Sequence, residues 1–207
     1  MAWAILVVLL ALFALGGGDV VIDVTRRGRR LTSTTDGDRR TPAELAAAAS
    51  AVVGRHVTTD AYVLARMIRS EGGHGNLQHK AALAHVALND ARELGWPLVK
   101  TLLYDRNDRD GERIGEQRGG RYATSRDPYE VDLTIAEAVL SGTLADPTHG
   151  AVKFVHVSAF GIQPGTSSYD DIVVRWAREG LRPFEVDGAG TDLRVFRRVA
   201  AAATGVS

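Results

Sequence analysis

The sequence predicts a mainly α-helical domain (α+β in class), with a short β region late in the chain and an apolar N-terminal helix ahead of it. Three observations carry that reading. Apolar residues recur at helical spacing through 60–94 and 131–139. Capping residues and glycines punctuate those runs. Short alternating segments appear only after residue 150.

Ala2–Leu15 is uninterrupted apolar, followed by Gly16, Gly17 and Gly18. As a helix, fourteen such residues span roughly 21 Å, less than the roughly 30 Å hydrocarbon core. Residues 1–18 therefore read as a transmembrane anchor or a signal-like segment, with Ala14-Leu15-Gly16 as a small-x-small site. Residues 19–40 read as a basic linker: they contain Arg26, Arg27, Arg29, Arg30, Arg39 and Arg40 around a polar Thr/Ser/Asp/Gly stretch. Those arginines suit anionic lipid headgroups. By the positive-inside rule they favour a cytoplasmic C-terminal side, a rule that a chain carried in a virion would escape.

Residues 41–207 are expected to form one domain. Thr41-Pro42-Ala43-Glu44 is a capping box opening a helix that Gly54 closes. Asp60 is placed to cap a second helix, on which Leu64, Met67, Ile68 and Glu71 share a face before Gly72-Gly73. A third helix runs from about Gln78 to Leu94 and a short fourth from Trp96-Pro97 to Leu103. Residues 105–121 are polar and glycine-rich, the natural place for a substrate-contacting loop. Asp127-Pro128 is expected to cap the helix that Gly142 closes. Trp96 and Trp176 read as core, and Phe184–Val186 and Leu193–Phe196 as a terminal hairpin after a last helix from Asp170 or Asp171.

Composition excludes several chemistries. There is no cysteine, hence no disulfide, thiolate ligand or thiol nucleophile. Formal net charge is zero, which argues against a nucleic-acid partner. Six histidines are present, yet no His-Glu-x-x-His motif or familiar zinc spacing, so neither a metal nor another cofactor is expected. What remains is acid–base chemistry. Glu71 ends an apolar stripe, where desolvation raises a carboxyl pKa as glycosidic cleavage requires, and Gly72 and Gly73 open space beside it.

Leu64-Ala-Arg-Met-Ile-Arg-Ser-Glu71-Gly-Gly resembles the catalytic-helix signature of SleB-type cell-wall hydrolases, the spore-cortex-lytic group of the lysozyme-like superfamily. Ala81–Asn89, Ala136–Gly142 and Asp146-Pro-Thr-His-Gly-Ala-Val-Lys-Phe154 resemble that family's later segments, in the same order, over roughly residues 60–160. His149 stands where the family has glycine, and Gly-His-Gly-Asn-Leu-Gln stands where it often has a second glutamate. The resemblance implies a lysozyme-like fold that cleaves peptidoglycan between N-acetylmuramic acid and N-acetylglucosamine. Glu71 would be the single catalytic acid, that of a lytic transglycosylase in the sense that no second carboxylate is needed. True hydrolysis would need one, and Asp105, Glu116 and Asp127 are the candidates. His74, Asn89, Tyr122, Thr124 and Ser125 are the expected substrate contacts, with Tyr122 offering a ring for sugar stacking. Two other classes stay open: a non-catalytic structural or wall-binding protein, and a metal-dependent wall peptidase.

Overall fold

The computed structural model describes residues 27–34, 40–73, 75–104, 122–157 and 167–199. The apolar segment 1–18, the whole loop 105–121 with Asp105 and Glu116, and His74 lie outside the described residues. Within them, six helices and three strands follow in chain order. They are α1 Pro42–Val53, α2 Thr59–Gly72, α3 Leu77–Leu94, α4 Leu98–Leu103, α5 Glu130–Leu140, β1 Lys153–His156, α6 Ser167–Arg178, β2 Leu181–Phe184 and β3 Leu193–Arg198. The domain is mostly helical with one small antiparallel sheet, ordered β1-β3-β2. Among the described residues no helix is long and apolar enough to cross a membrane.

The centre of the fold is α2. Its side chains from Ala61 to Ile68 are all buried, so the helix is enclosed on every side rather than along the single stripe expected. Helices α1, α3, α4 and α5 all pack against it, and Leu64, Met67 and Ile68 join Leu83, Leu102, Leu103 and Ile135 in the main core. A second, smaller cluster sits under α6, where Trp176 packs edge-on against Phe196 of β3. Both tryptophans read as core are only partly buried; Trp96 lies against Tyr104 and under the Lys100 ammonium.

Helix boundaries follow local chemistry. The capping box of Thr41 and Glu44 is present, and Gly54 takes the left-handed conformation at the end of α1. Thr58, not Asp60, caps α2: its hydroxyl accepts from the Ala61 N–H, leaving Asp60 in the first turn, where a carboxylate favours the helix dipole. Asn76 caps α3 in the same way, so that the helix opens at Leu77, one residue ahead of the expected start.

Asp127 does not cap α5. That helix begins two residues later, and Asp132 folds back to accept from the Tyr129 N–H. Asp127 is instead the counterion of Arg66, which projects from the middle of α2 and is 1% exposed. Its carboxylate accepts from Arg66 Nη1 at 2.7 Å, from the Thr32 and Thr34 hydroxyls, and from the Thr34 N–H at 2.8 Å. This pairing also corrects the linker reading. Leu31 is buried in the main core. The strap 27–31 runs antiparallel to 128–131 through Leu31 N–H to Pro128 carbonyl and Glu130 N–H to Arg29 carbonyl bonds. An apolar leucine and two hydroxyls within the polar stretch gave it partners that composition did not suggest.

Candidate active site

Glu71 occupies the last turn of α2, immediately before Gly72 and Gly73. Its side chain is 20% exposed. Oε1 accepts from the Ala123 N–H at 2.7 Å, so the segment after the long loop is pinned to the end of the helix. Burial pushes the Glu71 carboxyl above the ordinary glutamate value, and the single Ala123 N–H offsets this only in part. With Oε1 engaged as an acceptor, the acidic proton belongs on Oε2. The carboxyl borders a cleft of about 360 Å³ that Gly72, Gly73, Gly75, His79, His156 and Asp192 complete.

The glycines have separate tasks. Gly73 has φ +44°, a conformation side chains resist, and faces open space. Gly75 lies so close to α3 that a Cβ there would sit 2.8 Å from the His79 ring. Arg69, one turn before Gly73, donates to the Gly73 carbonyl at 2.9 Å and secures the turn.

The far wall is a histidine pair that the sequence reading passed over. His79, in the first turn of α3, and His156, at the end of β1, stack with ring centroids 5.4 Å apart. His156 Nε2 lies 3.8 Å from Glu71 Oε2, and its Nδ1 lies 3.5 Å from Asp192 Oδ2. The main-chain oxygen of Asp192 also accepts from Val157 N–H, tying the end of β1 to the start of β3. His79 Nδ1 is 3.1 Å from the Ala189 carbonyl, which makes that nitrogen the protonated one. Burial lowers the pKa of both imidazoles, and the neighbouring ring adds to the lowering at His156. A carboxyl inclined to keep its proton therefore faces an imidazole inclined to stay neutral.

The expected substrate contacts fare differently. Tyr122 is 5% exposed, and its hydroxyl donates to Asp90 while its ring packs on Phe154. It is a core residue, not a sugar platform. Thr124 is fully buried, and its carbonyl accepts from Arg66 Nε at 2.8 Å. The Ser125 carbonyl likewise accepts from Arg66. Both belong to the support behind α2, and neither borders the cleft. Asn89 donates to Asp146 and to the Ala151 carbonyl, bracing the turn that leads into β1. In that turn Asp146 also accepts from Thr148 and from Gly150 N–H. His149 has φ +51° there, which is the reason a glycine suits the position.

Of the second-carboxylate candidates, Asp127 is consumed by Arg66 on the opposite side of the segment 122–128. Among the described residues, the carboxylate that borders the cleft with Glu71 is Asp192. Only its distance in sequence, more than a hundred residues from Glu71, hid it; a Gly-rich turn ending in aspartate before a strand was the available signal. Compared with protein-family models, with characterised proteins and with solved structures, the chain matches none.

Proposed function

We propose that the protein cleaves peptidoglycan glycan strands between N-acetylmuramic acid and N-acetylglucosamine, as a lytic transglycosylase of the lysozyme-like class with Glu71 as its single catalytic acid. The observation that carries the reading is the environment of that carboxyl: desolvated, held by the Ala123 N–H, without a Lys or Arg partner among the described residues, and open to a cleft on its other oxygen. These are the requirements of a general acid near neutral pH. The order of the four family-like segments supports the same class.

In this mechanism Glu71 Oε2 gives its proton to the glycosidic oxygen as the C1–O bond breaks. The carboxylate then takes the proton of the muramic C6 hydroxyl while that oxygen closes on C1. No water is consumed and the site returns to its starting protonation state. Gly73 faces open space and leaves room for a saccharide to approach the backbone, while Gly72 and Gly75 let the turn pack closely against α3. The apolar segment Ala2–Leu15 would hold the domain at a membrane, facing the wall, or be removed on secretion; carriage in a virion would serve the same end.

The test is Glu71→Gln in the full chain, assayed by release of soluble fragments from purified peptidoglycan. Turnover should fall by roughly 10²–10⁴-fold, the usual worth of a positioned acid. Mass analysis should find 1,6-anhydro ends in the parent's products. Hydrated ends would make the enzyme a hydrolase. Undiminished release by the variant, abolished by chelator, would make it a metal peptidase. No release by the parent would leave a binding or structural protein.

A further inference from the structure

We propose that His156 is the positioning partner of Glu71: its bare Nε2 lone pair, fixed by Asp192 on the other side of the ring, accepts the hydrogen bond of the protonated carboxyl and later stiffens the carboxylate as a base. The inference rests on the reading of Glu71 as the acid and adds a residue that no family-like segment assigns to the chemistry.

Three features of the wall lead there. First, Asp192 Oδ2 faces Nδ1 of His156, and an anionic acceptor on that side draws the ring proton to Nδ1. Nε2 is then an acceptor only. Second, His156 Nε2 is buried and has no hydrogen-bond partner among the described residues, although the ring is 16% exposed as a whole. An unsatisfied buried acceptor is costly. Third, the atom it faces is Glu71 Oε2, the oxygen left over after Ala123 has taken Oε1. At 3.8 Å the two are short of a hydrogen bond, and a small rotation of either side chain closes the gap, as often happens when an empty site takes substrate.

The groups around the imidazole agree with a neutral ring. From α3 it meets His79, whose Nδ1 proton goes to the Ala189 carbonyl, with Lys80 beyond it turned toward Asp132. From its own strand it meets the edge of Phe154, from α2 it meets Glu71, and from the turn before β3 it meets Asp192. A lone pair attracts a carboxylic acid and repels a carboxylate. The same geometry therefore holds the proton before cleavage and raises the pull for the C6 hydroxyl proton afterwards. The proton count is unchanged, since Glu71 loses one and regains one while His156 stays neutral.

The closing experiment reads the ring directly, by ¹⁵N NMR of the full chain, alongside the pH profile of fragment release. In the parent, Nδ1 should carry the proton, and the Nε2 resonance should move with a midpoint shared with the Glu71 carboxyl. Glu71→Gln should erase that step. Asp192→Asn should free the tautomer, so that Nε2–H donates to Glu71 and the alkaline limb of the activity profile moves to lower pH by about one unit. His156→Gln, whose amide oxygen can accept in place of Nε2, should retain more activity than His156→Leu and keep the parent's limb. A resting proton on Nε2, or an Nε2 signal indifferent to Glu71→Gln, overturns the proposal even if the enzyme is active. Inactivity of the parent on peptidoglycan overturns the catalytic reading instead, and leaves the NMR result standing on its own.

Discussion

Two carboxylates join α2 to the segment 122–128, and they are held in opposite states. Asp127 is buried, which would raise its pKa, but the Thr34 N–H, the Thr32 hydroxyl, the Arg66 charge and the Thr34 hydroxyl together hold it below the usual aspartate value. Glu71, five residues further along the helix than Arg66, has burial of the same sign and one N–H to oppose it, so its value rises. Desolvation is common to both sites; the number of donors decides the outcome. The two ends of the segment 122–128 thus meet α2 through an anion that holds Arg66 and through a carboxyl inclined to keep its proton.

The largest effect should come from breaking the supported site. Asp127→Asn leaves Arg66 buried without its counterion, and unfolding by urea should show a loss of about 3–5 kcal/mol, the usual cost of removing one member of a buried pair. Next comes the pH dependence, where the two carboxylates have opposite signs. Asp127, with its native pKa depressed, contributes stability that is complete above its unfolded value of about 3.9 and is lost as pH falls through the native value. Glu71, with its native pKa raised, contributes stability below its unfolded value of about 4.3 and loses it as pH rises through the native value. Stability curves of the parent and Glu71→Gln should therefore converge in acid, with the variant the more stable at neutral pH. Identical curves for the two would remove the claim that Glu71 is held protonated.

Smaller effects sharpen the contrast between structural support and chemistry. Tyr122→Phe removes a buried hydroxyl that donates to Asp90, and should cost about 1 kcal/mol in denaturant unfolding. Its rate of fragment release per folded molecule should equal the parent's, whereas a ring that stacked on sugar would show a raised KM. Arg55→Ala breaks the pair with Glu137, where both side chains are partly exposed, and should change stability by about 0.5 kcal/mol or less.

Much of the helical frame was legible because its signals are local. The Thr41–Glu44 box, Gly54 and Gly95 each act on residues within one turn, and Glu71 could be singled out from the spacing of Leu64, Met67 and Ile68 before it. The errors share one cause. Tyr122, Thr124, Ser125 and Asn89 carry groups that look equally suited to a sugar or to a protein partner, and only distant residues such as Arg66, Asp90 and Asp146 decide which. The histidine wall was hidden for the same reason: His79, His156 and Asp192 meet only when β1 and β3 pair beside α3. A strap rich in arginine, threonine and serine read as solvated because nothing nearby in the chain announces that Leu31 has a pocket or that Asp127 awaits its donors.

That strap has a practical meaning for anyone cutting the gene. Trimming at the apparent start of the domain, residue 41, would strip Leu31 from the core and delete the Thr32 and Thr34 donors, leaving the Arg66 salt bridge half dressed. The shortest fragment worth expressing begins ahead of Arg27. In the intact chain, any pull on the residues ahead of Arg27 reaches the helix bearing Glu71 by way of this same handful of bonds.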